Sequence, residues 1–315
     1  MSEKGIDTLL GKTVDYPDQY DASILVREDR QGNRDHLNIT RDSLPFVGFD
    51  TWNAYEVSTL TNTGVPVAGS LKIRYSCNSQ YIVESKSLKL YLNSFNMTKM
   101  GDDPDEAVKL LLSKVRTDLS ALLFVEVEAD FFKPTIDGPR ATGYWPPVEP
   151  KLDEGDWKRY WDTYVNIDFH LKFADTYVET PELLESENAI HTPINQRYWS
   201  ALLKSNCKVT GQPDWGDIFI SMTSSQLPTP KSLAKYIVSF RDECHFHEEI
   251  CETAFVRLMD KFQPEELAVT CLYARRGGID INPSRITEGF AHEDLNAGIA
   301  MLRDTTIPHY KTQKQ

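Results

Sequence analysis

The chain has 315 residues, of which 40% are hydrophobic and 26% charged, the profile of a globular protein with one large core or two ordinary ones. Its formal charge of −13, from 47 acidic and 34 basic residues, opposes a phosphate backbone, and no long basic run segregates that charge, so no directly bound nucleic acid is expected. No apolar run nears the roughly 18 residues that span a bilayer, and Met1-Ser2-Glu3-Lys4-Gly5 lacks the basic start and apolar stretch of a secretory leader. A cytoplasmic location and no membrane partner are therefore expected. Cys77, Cys207, Cys244, Cys251 and Cys271 read as free thiols rather than a disulfide framework.

In chain order, Ser70 to Ser76 is strand-like and Lys86 to Phe95 helical. Asp103 to Leu119 is a capped helix with Val108, Leu111, Leu112 and Val115 on one stripe, and Leu122 to Glu128 reads as a strand. The Gly- and Pro-rich piece from Lys133 to Pro150 reads as linker, Asp153-Glu154-Gly155-Asp156 is acidic, and Tyr164 to Leu171 alternates like an extra strand. Asp217 to Thr223 alternates, with Ile218, Ile220 and Met222 on one face. Leu233, Ile237 and Phe240 fall at helical spacing, and a second helix runs from about His245 to Phe262. Glu266 to Tyr273 alternates again and ends at the turn signal Arg275-Arg276-Gly277-Gly278.

One unit is written twice. Lys, Ser, Leu, Tyr, Ser and Phe of the stretch Lys86–Phe95 recur in register 145 residues later, in Lys231–Phe240. Thr63-Gly64-Val65-Pro66-Val67-Ala68-Gly69 is matched 147 residues later by Thr210-Gly211-Gln212-Pro213-Asp214-Trp215-Gly216. Two matches in the same order point to a duplicated module. Each copy reads β-β-α-α-β, which predicts an α+β fold with antiparallel sheet and two helices on one face. The copies have diverged in a complementary way. Cys207 and Asp214 stand where the first copy has Leu60 and Val67, whereas Glu84-Ser85 stands where the second has Thr229-Pro230. A single site at the junction, furnished by both modules, is the economical expectation.

Taken alone, these residues have ordinary readings. A free Cys is most often a buried structural thiol, an Asp beside Pro and Gly commonly stabilises a turn, and a Glu in a first helical turn serves the helix dipole. Their combination is more specific. Glu84-Ser85-Lys86-Ser87-Leu88-Lys89, Ser205-Asn206-Cys207, Gln212-Pro213-Asp214-Trp215-Gly216, Ser239-Phe240-Arg241, Phe246-His247-Glu248 and Arg275-Arg276-Gly277-Gly278 resemble, in order, the motifs of the NADPH-dependent 7-cyano-7-deazaguanine reductases of queuosine (tRNA modification) biosynthesis. The resemblance covers most of residues 45–290.

The resemblance implies two tandem tunnelling-fold modules, residues 1–135 and 196–315 with a linker or insert at 136–195, whose sheets assemble into a barrel around which helices pack. It implies reduction of a nitrile to an amine with two NADPH. Cys207 is then the nucleophile that forms a thioimide, Asp214 the general acid–base, and His247 a catalytic residue beside the reacting carbon. Val83, Glu84, Ser85, His247 and Glu248 are the implied substrate-binding residues, with Glu248 on the amino-pyrimidinone edge of the deazapurine. Ser85, Lys86, Arg276 and Gly277 are the implied NADPH contacts, since Lys and Arg suit its extra phosphate; no Gly-x-Gly-x-x-Gly follows a strand, so no Rossmann site is expected. Donation by Asp214 near neutral pH calls for a carboxyl raised by burial against Trp215. Lys208, Cys244 and His245 depart from the pattern in ways that bear on substrate tuning.

No metal is expected, and a symmetric homodimer is. Two other readings compete. In one, Cys244, His245, His247, Cys251 and Cys207 supply zinc ligands for a purine or pterin hydrolase on the same fold, although Cys244 and His245 would point to different helix faces and no paired Cys motif exists. In the other, a catalytically dead tandem module only binds a purine-like ligand, against which intact Cys207, Asp214 and Glu248 speak.

Overall fold

A computed structural model describes residues 17–133, 163–187 and 189–289. Its framework is one nine-stranded sheet. After a 3-10 turn at Ala22–Ile24 come β1 (Arg27–Asp29), α1 (Gln31–His36), β2 (Val47–Leu60), β3 (Pro66–Ser76), β4 (Tyr81–Val83), α2 (Ser85–Asn93), α3 (Pro104–Leu123) and β5 (Val127–Phe132). The second half supplies β6 (Val165–Asn166), β7 (Ile194–Ser200), β8 (Lys204–Asn206), β9 (Pro213–Ser224), α4 (Pro230–Ser239), α5 (His247–Phe262), β10 (Glu266–Tyr273) and β11 (Ile279–Ile286). Sheet order is β5-β3-β2-β11-β10-β9-β7-β6, with β8 on β9, and β1 and β4 form a separate pair. All pairings are antiparallel except β6 on β7. The two halves meet where β11 pairs with β2, Ile281 opposite Trp52 and Pro283 opposite Asp50.

Register fixes what each face carries, because residues paired across strands project the same way. Ala129, Ile73, Trp52 and Ile281 follow one another across β5, β3, β2 and β11, and the pairs Val269–Ile220 and Ile220–Tyr198 continue across β10, β9 and β7. Arg285 pairs with Val269 and with Gly48, which places it on that face too. Two apolar clusters form there. One gathers Trp52, Leu71, Ile73, Ile279 and Ile281 with α2 and α3; the other gathers Ile218, Ile220, Val269 and Tyr273 with α4 and α5. The helices thus cover one face, as the duplicated pattern leads one to expect. Gly48 is required at the seam: a Cβ there would lie 2.1 Å from the carbonyl oxygen of Ser284.

The helix ends follow from local chemistry. Asp103 caps α3 by accepting from the amides of Asp105 (2.8 Å) and Glu106 (2.9 Å), with Pro104 at the first helical position. Its buried stripe, Val108, Leu111, Val115 and Leu119, runs on to Leu123. The strand expected from Leu122 to Glu128 therefore starts only at Val127, because Leu122 and Leu123 continue the helical stripe until Phe124 turns left-handed at φ 57°. Tyr164 to Leu171 is likewise a strand only at Val165–Asn166. There Asp168 accepts from Ser200 Oγ (2.5 Å) and the Ala201 amide (2.9 Å), bending the chain into a 3-10 turn. The helix expected from His245 begins at His247. The expected linker from Lys133 to Pro150 and the acidic run at 153–156 lie outside the described residues, apart from Lys133.

Between the two apolar clusters sits a buried charge cluster. Asp50 accepts from Arg30 and, at 2.9 Å, from Arg285, while Glu252 accepts from Arg34 (2.8 and 3.0 Å) and Arg285 (2.9 and 3.1 Å). All five side chains are at most 3% exposed. Burial would raise both carboxyls, but the guanidinium groups, Arg285 foremost, hold them below their ordinary values. Asp50→Asn keeps the shape and leaves two guanidinium groups sharing one fewer negative charge. The expected cost is about 3–5 kcal/mol, read as a lower urea midpoint, and a loss under about 1 kcal/mol would contradict this account of the seam.

Candidate active site

The pocket lies where β2, β4 and the start of α2 face the β8–β9 hairpin and the start of α5. Trp52, Ile82, Val83 and Ser85 line it from the first half; Cys207, Asp214, His247, Glu248 and Arg276 line it from the second, with His245, Phe246 and Ile281. It encloses roughly 390 Å³ of non-protein space, part of it open to solvent.

The β8–β9 hairpin brings thiol and carboxylate together. Ser205 pairs with Asp214 and Asn206 with Pro213, and a tight loop returns the chain, the Cys207 amide donating to Gln212 O (2.8 Å) and the Gly211 amide to Cys207 O (2.9 Å). Cys207 is buried at 7% exposure. The loop is tied to the segment before α5, since the Asn206 amide donates to Glu243 O and the His245 amide to Asn206 O. Backbone hydrogen bonds thus join the Cys207 loop to the segment that leads into α5.

Asp214 is 3% exposed. It accepts from Arg276, and His247 Nε2 lies 3.3 Å from its other oxygen. The His247 ring stacks on Tyr273 with centroids 3.8 Å apart and planes 12° from parallel. Here one expectation is corrected. Burial does push the Asp214 carboxyl up, but His247 and then Arg276 outweigh it and hold the carboxyl below its ordinary value. Trp215 does not bury it either, being 41% exposed with Arg241 over its ring at 5.1 Å. The surroundings of Asp214 thus favour its ionised form.

Glu248 behaves in the opposite way. It is 2% exposed, and its Oε1 has no hydrogen-bond partner among the described residues. Burial, with Asp50 adding repulsion against the pull of Arg30, raises its carboxyl to about 8. Glu248 and Glu252 stand one turn apart on α5, so the carboxylate that anchors the charge cluster and the one that faces the pocket share a helix face. An unsatisfied buried carboxylate is unfavourable unless a ligand supplies donors.

Of the other expected residues, Val83 and Ser85 line the pocket and Glu84, Lys86 and Gly277 do not. Glu84 caps α2, accepting from the amides of Lys86 (3.2 Å) and Ser87 (2.6 Å), which makes it the support for that wall. Gly277 and Gly278 form the two-residue turn between β10 and β11 at φ 58° and 83°, and Lys89 Nζ lies 3.1 Å from where a Gly277 Cβ would be. Arg276 donates to Asp214 and Gln212, and Lys89 Nζ lies 3.8 Å from Glu56. Trp52, Ile82, Phe246 and Ile281 were not expected in the site. Ile82 flanks Val83 and Phe246 belongs to the Phe246-His247-Glu248 motif, but Trp52 and Ile281 enter only through the β2–β11 pairing.

Two of the three departures, Lys208 and His245, meet at Glu249. Glu249 accepts from Lys208 Nζ (2.9 Å) and the Phe246 amide (3.0 Å), and His245 Nδ1 lies 3.1 Å away. Cys244 is exposed, whereas Cys251 is buried and directed at the carbonyls of Val269 and Pro283. The sulfurs considered for zinc do not converge, and among the described residues no group of three His, Cys, Asp or Glu is placed to hold a metal.

Residues 16–131 match the family described as nitrile reductase, 7-cyano-7-deazaguanine-reductase N-term, and residues 213–289 match the family of QueF-like proteins. The NADPH-dependent 7-cyano-7-deazaguanine reductase of Aromatoleum aromaticum is 41% identical over 286 residues, covering 90% of this chain and 92% of that protein. The chain belongs to this family. Proteins of the same name from Chromobacterium violaceum (36% identical, 88% of this chain and 90% of theirs) and an Azoarcus species (37%, 89% and 90%) match along nearly the whole length.

The raised Glu248 carboxyl has a measurable consequence. A carboxyl raised from 4.5 to about 8 on folding contributes stability that is full below the unfolded value and is lost as pH rises through the folded one. Glu248→Gln removes that loss. Its melting temperature should gain on the wild type between pH 5 and pH 9, and a difference that stays constant over that range would show that Glu248 is not held protonated.

Proposed function

We propose that this chain reduces the nitrile of 7-cyano-7-deazaguanine to the aminomethyl group with two NADPH, in queuosine biosynthesis. The supporting observation is the convergence in one pocket of a buried thiol, an ionised carboxylate and a buried carboxylate without a partner. Glu248, once a base supplies ring and exocyclic N–H groups, becomes a satisfied carboxylate that fixes the nitrile toward Cys207. Val83 and Ser85 form the opposite wall, with Glu84 behind them.

A nitrile carbon is a weak electrophile, so the nucleophile has to be a thiolate. Asp214 takes the proton from Cys207 Sγ; the sulfur adds to the nitrile carbon, and the same proton returns from Asp214 to the nitrile nitrogen, giving a neutral thioimide. His247 and Arg276 keep Asp214 ionised before the first of these transfers, and a carboxylate so stabilised is a weak base that gives the proton back readily in the second. His247, stacked against Tyr273, keeps its ring in place beside the reacting carbon. Ser85, Lys86, Arg276 and Gly277 would hold NADPH, which would supply the hydrides that the thioimide and then the imine released on carbon–sulfur cleavage need. Asp214 and His247 return the protons that the nitrogen needs.

The same reading extends to assembly. Residues 1–135 and 196–315 are taken as two tunnelling-fold modules joined by 136–195. The sheet is open in one chain, with β5 and β6 at its edges among the described residues. A symmetric homodimer that closes such sheets into a barrel removes those edges. The acidic charge favours a free base over nucleic acid as ligand, and free thiols at Cys77, Cys207, Cys251 and Cys271 suit the cytoplasm.

Cys207→Ala should abolish NADPH oxidation by the nitrile base yet leave a folded protein that binds it. Intact-mass spectrometry of the wild type with base alone should show one base added per chain, absent in the variant. Turnover by Cys207→Ala would remove the covalent mechanism.

A further inference from the structure

Glu248 is not the only orphan on the pocket wall. Trp52 Nε1 and His247 Nδ1 also have no hydrogen-bond partner among the described residues. Trp52 is 1% exposed, and its neighbours across the sheet, Ile73 and Ile281, are apolar, so nothing on adjoining strands competes for its N–H. Indole nitrogen can only donate, and Glu248, once ligand N–H groups draw it into the ionised form, can only accept. Trp52 and Glu248 therefore call for a ligand edge that carries an acceptor next to donors.

We propose that Trp52 is a specificity-determining residue, whose Nε1–H donates to the ring carbonyl oxygen of the base while Glu248 accepts from the adjacent ring N–H and the exocyclic amine. This deepens the reading of the pocket as a deazaguanine site and rests on it. In an aminopyrimidinone those three groups follow one another along one edge, with the carbonyl on the side nearer the nitrile-bearing ring. A base with an amine at the carbonyl position would set N–H against N–H and leave the indole without its acceptor, which costs far more than a missing apolar contact. Trp52 stands on β2 and Glu248 on α5, so one edge of the base is read by both halves of the chain.

The test is calorimetry in the full chain carrying Cys207→Ala, which removes the covalent step. Trp52→Phe keeps an aromatic wall and deletes the donor. It should weaken binding of the carbonyl base about tenfold. The thiocarbonyl analogue, which keeps the ring N–H but accepts poorly, should bind more weakly to the Trp52 protein and lose little further on substitution. If melting shows that Trp52→Phe is not folded, benzothienylalanine at position 52 preserves the indole shape without its N–H and carries the same comparison. Unchanged affinity for the carbonyl base, or equal losses for both ligands, overturns the assignment. NADPH oxidation by the unsubstituted chain separates the two claims: with turnover present and no coupling at Trp52, this inference alone fails, whereas no turnover removes the function on which it rests.

Discussion

Arg285, Arg30 and Arg34 share Asp50 and Glu252 at the seam where β11 pairs with β2, and every group involved is buried. Charges removed from water are tolerated only when partnered in good geometry, so each of these residues constrains the others. Arg30 and Arg34 come from the segment around α1, Asp50 from β2, Glu252 from α5 and Arg285 from β11. Four stretches of the chain are therefore fixed at one point. The apolar clusters on either side could each tolerate some sliding; a shared guanidinium–carboxylate lattice cannot.

The pocket inherits its electrostatics from that seam. Glu248 lies one helical turn from Glu252 and close enough to Asp50 to feel its charge. It is a carboxylate with its counter-charges already committed elsewhere, and a ligand's N–H groups are what it lacks. Asp214, on the other wall, is held ionised by His247 and Arg276. Two carboxyls that line one pocket are thus pushed in opposite directions, Glu248 toward its protonated form and Asp214 toward its ionised form. The β8–β9 hairpin then matters because it delivers Cys207 to the gap between them.

Much of this was legible in the sequence because the signals are local. The Asp103 cap with its following stripe gives α3, strict alternation gives β10, and Gly277-Gly278 gives the hairpin after it. The motif resemblance located Cys207, Asp214, His247 and Glu248, which one pocket brings together. What escaped depended on partners far along the chain. β11, Ile-Asp-Ile-Asn-Pro-Ser-Arg-Ile, begins in alternation, but Pro283 and the charged Arg285 break the pattern of a strand that is in fact buried almost throughout. Arg30 and Arg34 look like surface charges until Asp50 and Glu252 are found beside them. The depressed Asp214 carboxyl arises from Arg276, 62 residues later, and His247, neither of which burial arguments reveal. Trp52 entered the site only because β2 lies against β11.

The central claim is that one site is furnished by both halves of the chain around the buried seam. The crystal structure of full-length Cys207→Ala with 7-cyano-7-deazaguanine tests it most directly. The account predicts the base lodged between Trp52, Val83 and Ser85 on one side and Asp214, His247 and Glu248 on the other, its ring N–H groups on the Glu248 carboxylate and its nitrile at position 207. A base seated against residues of one half alone, or with Glu248 left unpartnered, would contradict it.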